Sequence, residues 1–402
     1  MLGAFFEVGI VKLMLRYFFI GLSLVVGFPI NAQVVLGANV AVDALYDDQF
    51  DNQILDSETG GIRYLPNITF GYEGQTYQTG LSLRAGYNVF LGSDFEDTEN
   101  FSASWTNTRN FERSTVRVNF DFDQRLIDDY FELDNVIELF RTDVVTSQSV
   151  APDLSWRLSE RTRLSVFYQF RNTGVDNTSG FNLSDFSEHF VNVGWNRSLS
   201  ERAEFSIFAR FITHRPEGEN GTDTNTMGLS VGGNYQLKNN WTLSGSIGAT
   251  QVANDGPSQV GVANGDTVLF TDLQASYSGR RTQFDIIANA GTNQQLDGTV
   301  DSQQTIGINW GRRLSENFSA NIGARFFRAG RFGRQDLSIT PALTWRSSPQ
   351  WSYRLSYRFR DQLAAGDNFT EAAGIAAEDF EVSSNRVVFR VNYTFKDLIL
   401  GN

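Results

Sequence analysis

The sequence predicts an all-β protein, a transmembrane antiparallel β-barrel of about 18 strands, or about 16 if adjacent segments are counted as one. Three observations predict it. Apolar and polar residues alternate over many segments, a tryptophan recurs beside tight polar turns, and short turns alternate with long polar loops. A closed sheet in lipid requires apolar side chains outside and polar ones inside, which this alternation supplies.

A repeated module places tryptophan at the end of an alternating segment, directly before a polar turn. Its four copies are Leu154–Arg161, Val193–Arg202, Ile308–Asn317 and Leu343–Trp351. Each copy is typical of two antiparallel strands and their hairpin. Six tryptophans share the apolar face near such turns: Trp156, Trp195, Trp241, Trp310, Trp345 and Trp351. We expect them to form an aromatic girdle at the periplasmic interface.

Alternation is clearest in residues 77–89, 116–123 and 351–360, where charged side chains fall on one face only. A soluble β-sandwich also alternates and is the alternative fold, but it would not explain bulky aromatics gathered at one rim. Three prolines fall inside strand patterns, at positions 66, 152 and 341. Because proline removes a ladder donor, β-bulges could accommodate them.

The chain of 402 residues contains no proline-rich linker, so we expect a signal peptide at residues 1–32 and a single barrel at 33–402. An apolar run, Tyr17–Ile30, follows Lys12 and Arg16 and precedes an expected cut after Ala32. An uncleaved anchor helix is the alternative, but it needs a longer apolar span. Both barrel termini are then expected in the periplasm.

The composition fits membrane strands. Hydrophobic residues make up 41%, with 34 Phe and 36 Gly, yet mean hydropathy is only -0.27, so apolar residues are spread thinly. The absence of cysteine fits transit through an oxidising compartment. A net charge of -13 argues against nucleic acid as a partner.

The C-terminal segment Val387–Phe395 alternates and ends on an aromatic residue. It resembles the closing strand of Gram-negative outer-membrane proteins. The resemblance implies a location in the outer membrane, contact with its lipid and lipopolysaccharide, and recognition of Phe395 by the outer-membrane assembly machinery. The chain departs from that pattern by continuing through Lys396–Asn402. Its arginine-bearing strands and Trp-then-Leu-Ser-Glu turns also loosely resemble barrels encoded near exopolysaccharide systems.

Catalytic residues are few, and we predict that the protein is not an enzyme and needs no cofactor. His189 shares the apolar parity, whereas His214 has inward parity beside Arg210. No motif with a known mechanism and no metal-ligand spacing occurs. A hydrolase using His214, or His189 with the adjacent Ser187 and Glu188, is the alternative. Acidic groups occur around Asp47, Asp97 and Asp379. They could bind divalent cations that bridge lipopolysaccharide, but solvated loop charge is the commoner explanation.

Arginines with inward parity are the most suggestive charged residues. The predicted pore-lining set is Arg84, Arg117, Arg163, Arg210, Arg325, Arg354, Arg358, Arg360 and Arg390. A positive stripe in a lumen would attract and guide anions. Alternatively, these arginines pair with lumen carboxylates such as Asp121, Asp123 and Asp285 and hold the barrel's shape. Residues 126–141 partly fit an amphipathic helix that could constrict or plug a pore.

The functional hypothesis is therefore an outer-membrane channel for hydrophilic, anionic solutes or for an exported polysaccharide. A hydrolase and a non-conducting scaffold for surface polymer assembly are the alternatives. The first would act by covalent chemistry, and the second would have a plugged lumen.

Overall fold

The computed structural model describes residues 33–48, 59–91, 97–126, 144–176, 185–217, 223–237, 240–254, 265–294, 300–329, 335–364 and 383–400. Within them lie eighteen long strands and one short segment: β1 Gln33–Asp47, β2 Thr59–Glu73, β3 Tyr77–Leu91, β4 Thr98–Asn110, β5 Ser114–Leu126, β6 Val144–Arg157, β7 Thr162–Asp176, β8 Phe186–Ser198, β9 Ala203–Pro216, β10 Thr224–Gln236, β11 Trp241–Asn254, β12 Thr267–Ser278, β13 Thr282–Gln294, β14 Val300–Arg313, β15 Phe318–Ala329, β16 Gln335–Arg346, β17 Trp351–Ala364, β18 Ser383–Thr394 and β19 Leu398–Leu400. The expected signal peptide, and the expected amphipathic segment beyond Leu126, lie outside the described residues.

The long strands form one closed ring. Each of them pairs antiparallel with the next in sequence, and β18 pairs antiparallel with β1. The short segment β19 continues this closing ladder by pairing with Val34–Leu36 of β1. The predicted antiparallel barrel of eighteen strands is confirmed. No helix among the described residues is both long and apolar enough to cross a membrane.

The two rims of the barrel differ in the length of their connections. Eight connections of three or four residues lie on the rim where β1 begins and β18 ends. The nine connections on the opposite rim, here called the loop-side rim, have five residues or more. Short periplasmic turns and longer extracellular loops are the rule for bacterial outer-membrane barrels, so this difference orients the barrel.

The Leu-Ser-Glu turns share one hydrogen-bond arrangement. In the three turns that begin at Leu158, Leu199 and Leu314, the leucine N–H donates to the carbonyl four residues later, at 2.8–2.9 Å. The following serine Oγ accepts from the backbone N–H two residues on, at 3.2–3.3 Å. Serine that bonds its own turn in this way fixes the turn locally. The repeated module therefore encodes a repeated hairpin.

The outer face carries large apolar side chains that no described residue covers. Leu229, Ile247 and Leu269 are 60%, 59% and 71% exposed. A continuous apolar belt of this kind is stable in lipid and not in water. Together with ring closure, it excludes the soluble sandwich. The fold is that of a β-barrel that spans a lipid bilayer, with the turn and loop pattern of bacterial outer-membrane barrels.

Aromatic side chains gather on the lipid face at the short-turn rim, as predicted. Six of them form a connected row across β15 to β18, with neighbouring ring centroids 4.8–6.4 Å apart: Phe318, Trp345, Tyr353, Trp351, Tyr393 and Phe395. Amphipathic rings prefer this depth, where one edge meets headgroups and the other meets acyl chains. Trp105, which the pattern did not include, stacks on Phe120 and donates to Thr79 Oγ1 at 2.8 Å.

The three strand prolines are accommodated without bulges, contrary to the sequence-based suggestion. Next to Pro66, the β2–β3 ladder skips two residue pairs and resumes at Asn67↔Arg84 in unchanged register. The same gap follows Pro152 in β6 and Pro341 in β16, always toward the next strand. The missing donor therefore weakens one ladder locally, and the inside-outside alternation is preserved.

Candidate solute-binding lumen

Asp43 of β1 is the centre of a charge cluster on the barrel wall. Its side chain is fully buried and accepts from Arg390 Nε at 2.6 Å and Nη2 at 2.7 Å. Arg63 of β2 reaches the same carboxylate at 3.2 Å. Four residues further along β1, the buried Asp47 pairs with Arg386 at 2.7 Å. A buried carboxylate is stable only when paired in this way, so these acids are structural partners of arginines.

Five arginines border one interior cavity of about 670 Å³, here called the basic chamber: Arg63, Arg84, Arg125, Arg354 and Arg390. Asp123 is the carboxylate on this lining, and it pairs with Arg125 at 2.5 Å. Arg354 of β17 lies directly opposite Arg390 of β18 in the ladder. Like charges facing each other across strands are destabilising, so the pair needs a compensating role.

A row of amides crosses the wall beside the basic chamber. Asn39 donates to Asn392 at 3.1 Å and accepts from Asn67 at 2.9 Å. Ser82 then donates to Asn67 at 3.0 Å. These side chains come from four adjacent strands and satisfy one another, so they fix the polar wall on which the arginines stand.

A second interior cavity, here called the amide cavity, has a volume of about 620 Å³ and lies between β9 and β12–β16. Arg210 enters it from β9, with its guanidinium carbon 3.9 Å from the centre of the Phe270 ring. Its Nη2 donates to Thr250 Oγ1 at 2.7 Å. Arg325 of β15 lines the same cavity. A stacked and hydrogen-bonded guanidinium is held in one orientation.

The lumen narrows toward the loop-side rim. Interior side chains in that half that are at most 6% exposed include Asp43, Asp47, Asn88, Val145, Thr173, Phe186, His214, Thr224, Val252 and Asp336. In a wide water-filled ring such side chains would be exposed. The amide cavity also indicates a narrow interior, because β9 and β16 lie on nearly opposite walls yet both border it. The interior is therefore constricted in its loop-side half.

The ladder registers place all nine arginines of the predicted set on the interior face. Three of them, Arg84, Arg354 and Arg390, border the basic chamber, and two, Arg210 and Arg325, border the amide cavity. Arg358 and Arg360 stand above the chamber on β17, and Arg360 pairs with Asp336 at 3.6 Å. The other two, Arg117 and Arg163, lie on β5 and β7, away from both cavities. Their role in a pore remains a prediction.

The predicted set leaves out other interior arginines, among them Arg63, Arg125 and Arg386, which form ion pairs with interior carboxylates. Each of them obeys the same two-residue parity, so the parity of β2, β5 and β18 could have found them. Their acidic partners were also different from those expected. Asp43, Asp47 and Asp336 hold arginines, and of the expected acids Asp123 forms an ion pair, with Arg125.

The two histidines do not form a hydrolase-like group with their sequence neighbours. His189 faces the outside, where its Nδ1 lies 2.9 Å from the Tyr168 hydroxyl. Ser187 has the same parity, but Glu188 faces the interior opposite His214. His214 is 1% exposed and packs on Phe186, with ring centroids 4.5 Å apart. These positions do not assemble a serine, a base and an acid at one surface.

Two members of the first acidic group are not loop charge, since Asp47 is part of β1 and Asp48 holds the closing strand, while Asp51 lies outside the described residues. Asp48 accepts from the backbone N–H and the side-chain amide of Asn385, each at 2.6 Å. In the second group, Asp97 accepts from Tyr87 at 3.0 Å. The third group lies outside the described residues. Among the residues that the structure covers, no cluster of three or more ligating side chains could hold a metal ion.

No protein-family model matches this sequence, and no curated protein matches it either. Solved structures of similar shape include the outer membrane protein OpdK from Pseudomonas aeruginosa. Pseudomonas aeruginosa OccK1 (OpdK) is 13% identical with a TM-score of 0.48, covering 93% of this chain and 100% of that one. Acinetobacter baumannii OccAB4 is 10% identical with a TM-score of 0.49, covering 92% and 98%. The siderophore receptor PirA from Pseudomonas aeruginosa is 9% identical with a TM-score of 0.45, covering 89% and 80%.

Proposed function

We propose that this barrel is an outer-membrane channel for small hydrophilic anions. The observation that carries the proposal is the convergence of five arginines on the basic chamber. Among the charged residues of the described chain that line the chamber or lie directly behind it, these five arginines face two carboxylates, Asp123 on the lining and Asp43 behind it, which gives a net charge of +3. Walls of low dielectric focus such a field and raise the local concentration of anions.

Shape maintenance alone does not account for these arginines. Arg390 and Arg63 are held by Asp43, but Arg354 has no ion pair with another described residue, and it faces Arg390 directly. A purely structural wall would place a neutral or acidic residue opposite Arg390. An anion in the chamber would supply the missing negative charge and remove the repulsion.

The constriction favours small solutes over an exported polysaccharide. Side chains from opposite walls border each cavity, and the interior near the loop-side rim is buried. A threaded polymer would need a continuous wide path, whereas single solutes can move between sites that bind them weakly.

We also propose that the outer-membrane assembly machinery recognises Phe395 and that the outer face of the barrel contacts lipopolysaccharide.

Ion selectivity of the purified protein in a planar bilayer tests this function. With a potassium chloride gradient across the bilayer, we expect a reversal potential on the anion-selective side. The variants Arg84→Gln and Arg354→Gln should each move it toward the cation-selective side. Arg161→Gln, an exposed turn residue, is the matched control and should leave it unchanged. Cation selectivity in the native protein, or the absence of conductance, would overturn the proposal, and the latter would favour the scaffold alternative.

A further inference from the structure

Three interior glycines on adjacent strands line the amide cavity, and one of them, Gly307, leaves a recess in the barrel wall. Gly291, Gly307 and Gly323 line it from β13, β14 and β15. A Cβ atom at Gly307 would meet no other atom within 4 Å, because it would point into open space. The recess is therefore free volume inside the wall. The size of the whole cavity, about 620 Å³, is within the range of small-molecule sites.

The lining of this cavity is rich in neutral hydrogen-bonding groups. Three amides border it, Asn289, Gln303 and Asn309, together with the hydroxyls of Thr305, Ser338 and Thr340. Each amide offers two donors and an acceptor, and each hydroxyl offers both functions. A simple inorganic anion needs donors only, whereas a ligand with several hydroxyl groups needs donors and acceptors side by side.

The charge of the lining points to a ligand with a single negative charge. Arg210 and Arg325 contribute two positive charges and Asp272 contributes one negative charge, so the lining has a net charge of +1. A carboxylate next to a guanidinium makes the strongest polar contact available here. Asp272 repels a second anionic group but accepts hydrogen bonds from hydroxyl groups. The lining of the basic chamber also carries neutral amides and hydroxyls, but with five arginines and one carboxylate it has a much higher positive charge, so the two cavities differ in charge.

We propose that the amide cavity binds a monocarboxylate bearing several hydroxyl groups, a sugar acid. Its carboxylate lies at Arg210 and Arg325, and its hydroxyl groups lie against the amides of β13 and β14. The inference rests on the proposed function, because it names the class of anion that the channel selects. It predicts that the channel discriminates between anions by their hydroxyl groups as well as by their charge.

Current blockade in planar bilayers tests the assignment with three probes. Glucuronate has both groups, cyclohexanecarboxylate has the ring and the charge without hydroxyls, and glucose has hydroxyls without the charge. We expect glucuronate to block at concentrations roughly tenfold lower than either other probe, since two or more neutral hydrogen bonds are at stake. Equal blockade by glucuronate and cyclohexanecarboxylate would overturn the inference.

Variants locate the binding site. Gly307→Leu fills the recess and should abolish preferential blockade by glucuronate. Gly80→Leu is the matched control, because Gly80 faces the interior away from the cavity and its Cβ would meet only Phe70 O at 4.0 Å. The pair Gln303→Ala and Asn309→Ala should weaken glucuronate blockade about fivefold while leaving that of cyclohexanecarboxylate unchanged. Asn119→Ala, on the opposite wall, is their control.

The outcomes separate this inference from the proposed function. Native protein that is anion-selective but blocked equally by both carboxylates keeps the channel and overturns the sugar-acid site. Unchanged glucuronate blockade in Gly307→Leu and in the amide variant has the same meaning. If the native protein is not anion-selective, the proposed function itself is wrong. Migration of unheated protein on denaturing gels shows whether each variant is folded, and the amide variant remains decisive if Gly307→Leu is not.

Discussion

Asp43 accepts two hydrogen bonds from Arg390, at 2.6 and 2.7 Å, across the strand pair that closes the barrel. The two residues are 347 positions apart, and no hairpin joins their strands. Closure of β1 on β18 therefore has no turn to set its register, and paired side chains must supply the specificity. Asp47 with Arg386 repeats the contact four residues away on each strand.

Asp43→Ala should destabilise the folded barrel by about 3 kcal/mol, because it leaves Arg63 and Arg390 without the carboxylate that both now contact. Both arginines are partly exposed to solvent, so the expected loss of stability is at the lower end of the range for breaking a buried ion pair. The midpoint of urea unfolding in detergent micelles measures the change. A midpoint equal to that of the native protein would show that the contact does not stabilise the closed ring.

Arg354→Gln should leave stability unchanged or raise it by about 0.2–1 kcal/mol, since it removes the like-charge contact with Arg390. The same variant should lower anion permeability. A stability measurement and a reversal potential on one preparation check both effects. Marked destabilisation with unchanged selectivity would mean that Arg354 is structural.

Ser315→Ala should destabilise its hairpin more than Ser159→Ala. Ser315 Oγ accepts from two backbone N–H groups, those of Asn317 at 3.3 Å and Phe318 at 3.1 Å. Ser159 Oγ accepts from one, that of Arg161 at 3.3 Å. With about 1 kcal/mol for each hydrogen bond, the two variants should differ by about 1 kcal/mol in free energy of unfolding. Equal effects would show that the second hydrogen bond, from Phe318 N–H to Ser315 Oγ, does not stabilise the turn.

Trp345→Ala should cost more stability than Trp310→Ala, although both residues lie at the same rim. Trp345 stacks on Phe318 and Tyr353, with centroids 5.9 and 5.1 Å away. Each aromatic pair adds about 0.5–1.5 kcal/mol beyond area burial, so the difference should be about 1–3 kcal/mol. Unfolding from phosphatidylcholine vesicles provides the comparison. Equal stability of the two variants would show that stacking of Trp345 on Phe318 and Tyr353 does not stabilise the barrel.

Strand number, hairpin positions and the rim of the tryptophans followed from local patterns. Trp156 and Arg354 could each be assigned to a face because side chains alternate with a period of two along one strand. The same parity reached Arg210 and Arg325. It could not indicate that both would border one cavity, since the strands that carry them are six positions apart in the ring.

By itself, the sequence determined which side chains face lipid and which face the interior, because that choice is made residue by residue within a strand. Only the tertiary structure decided that Asp43 would hold Arg390, that interior side chains near the loop-side rim would be buried, and that Gly307 would leave a recess in the wall of one cavity. These features depend on how far each strand is staggered against its neighbours and on which strands face each other across the ring. Such quantities belong to the closed sheet as a whole and not to any single segment of it.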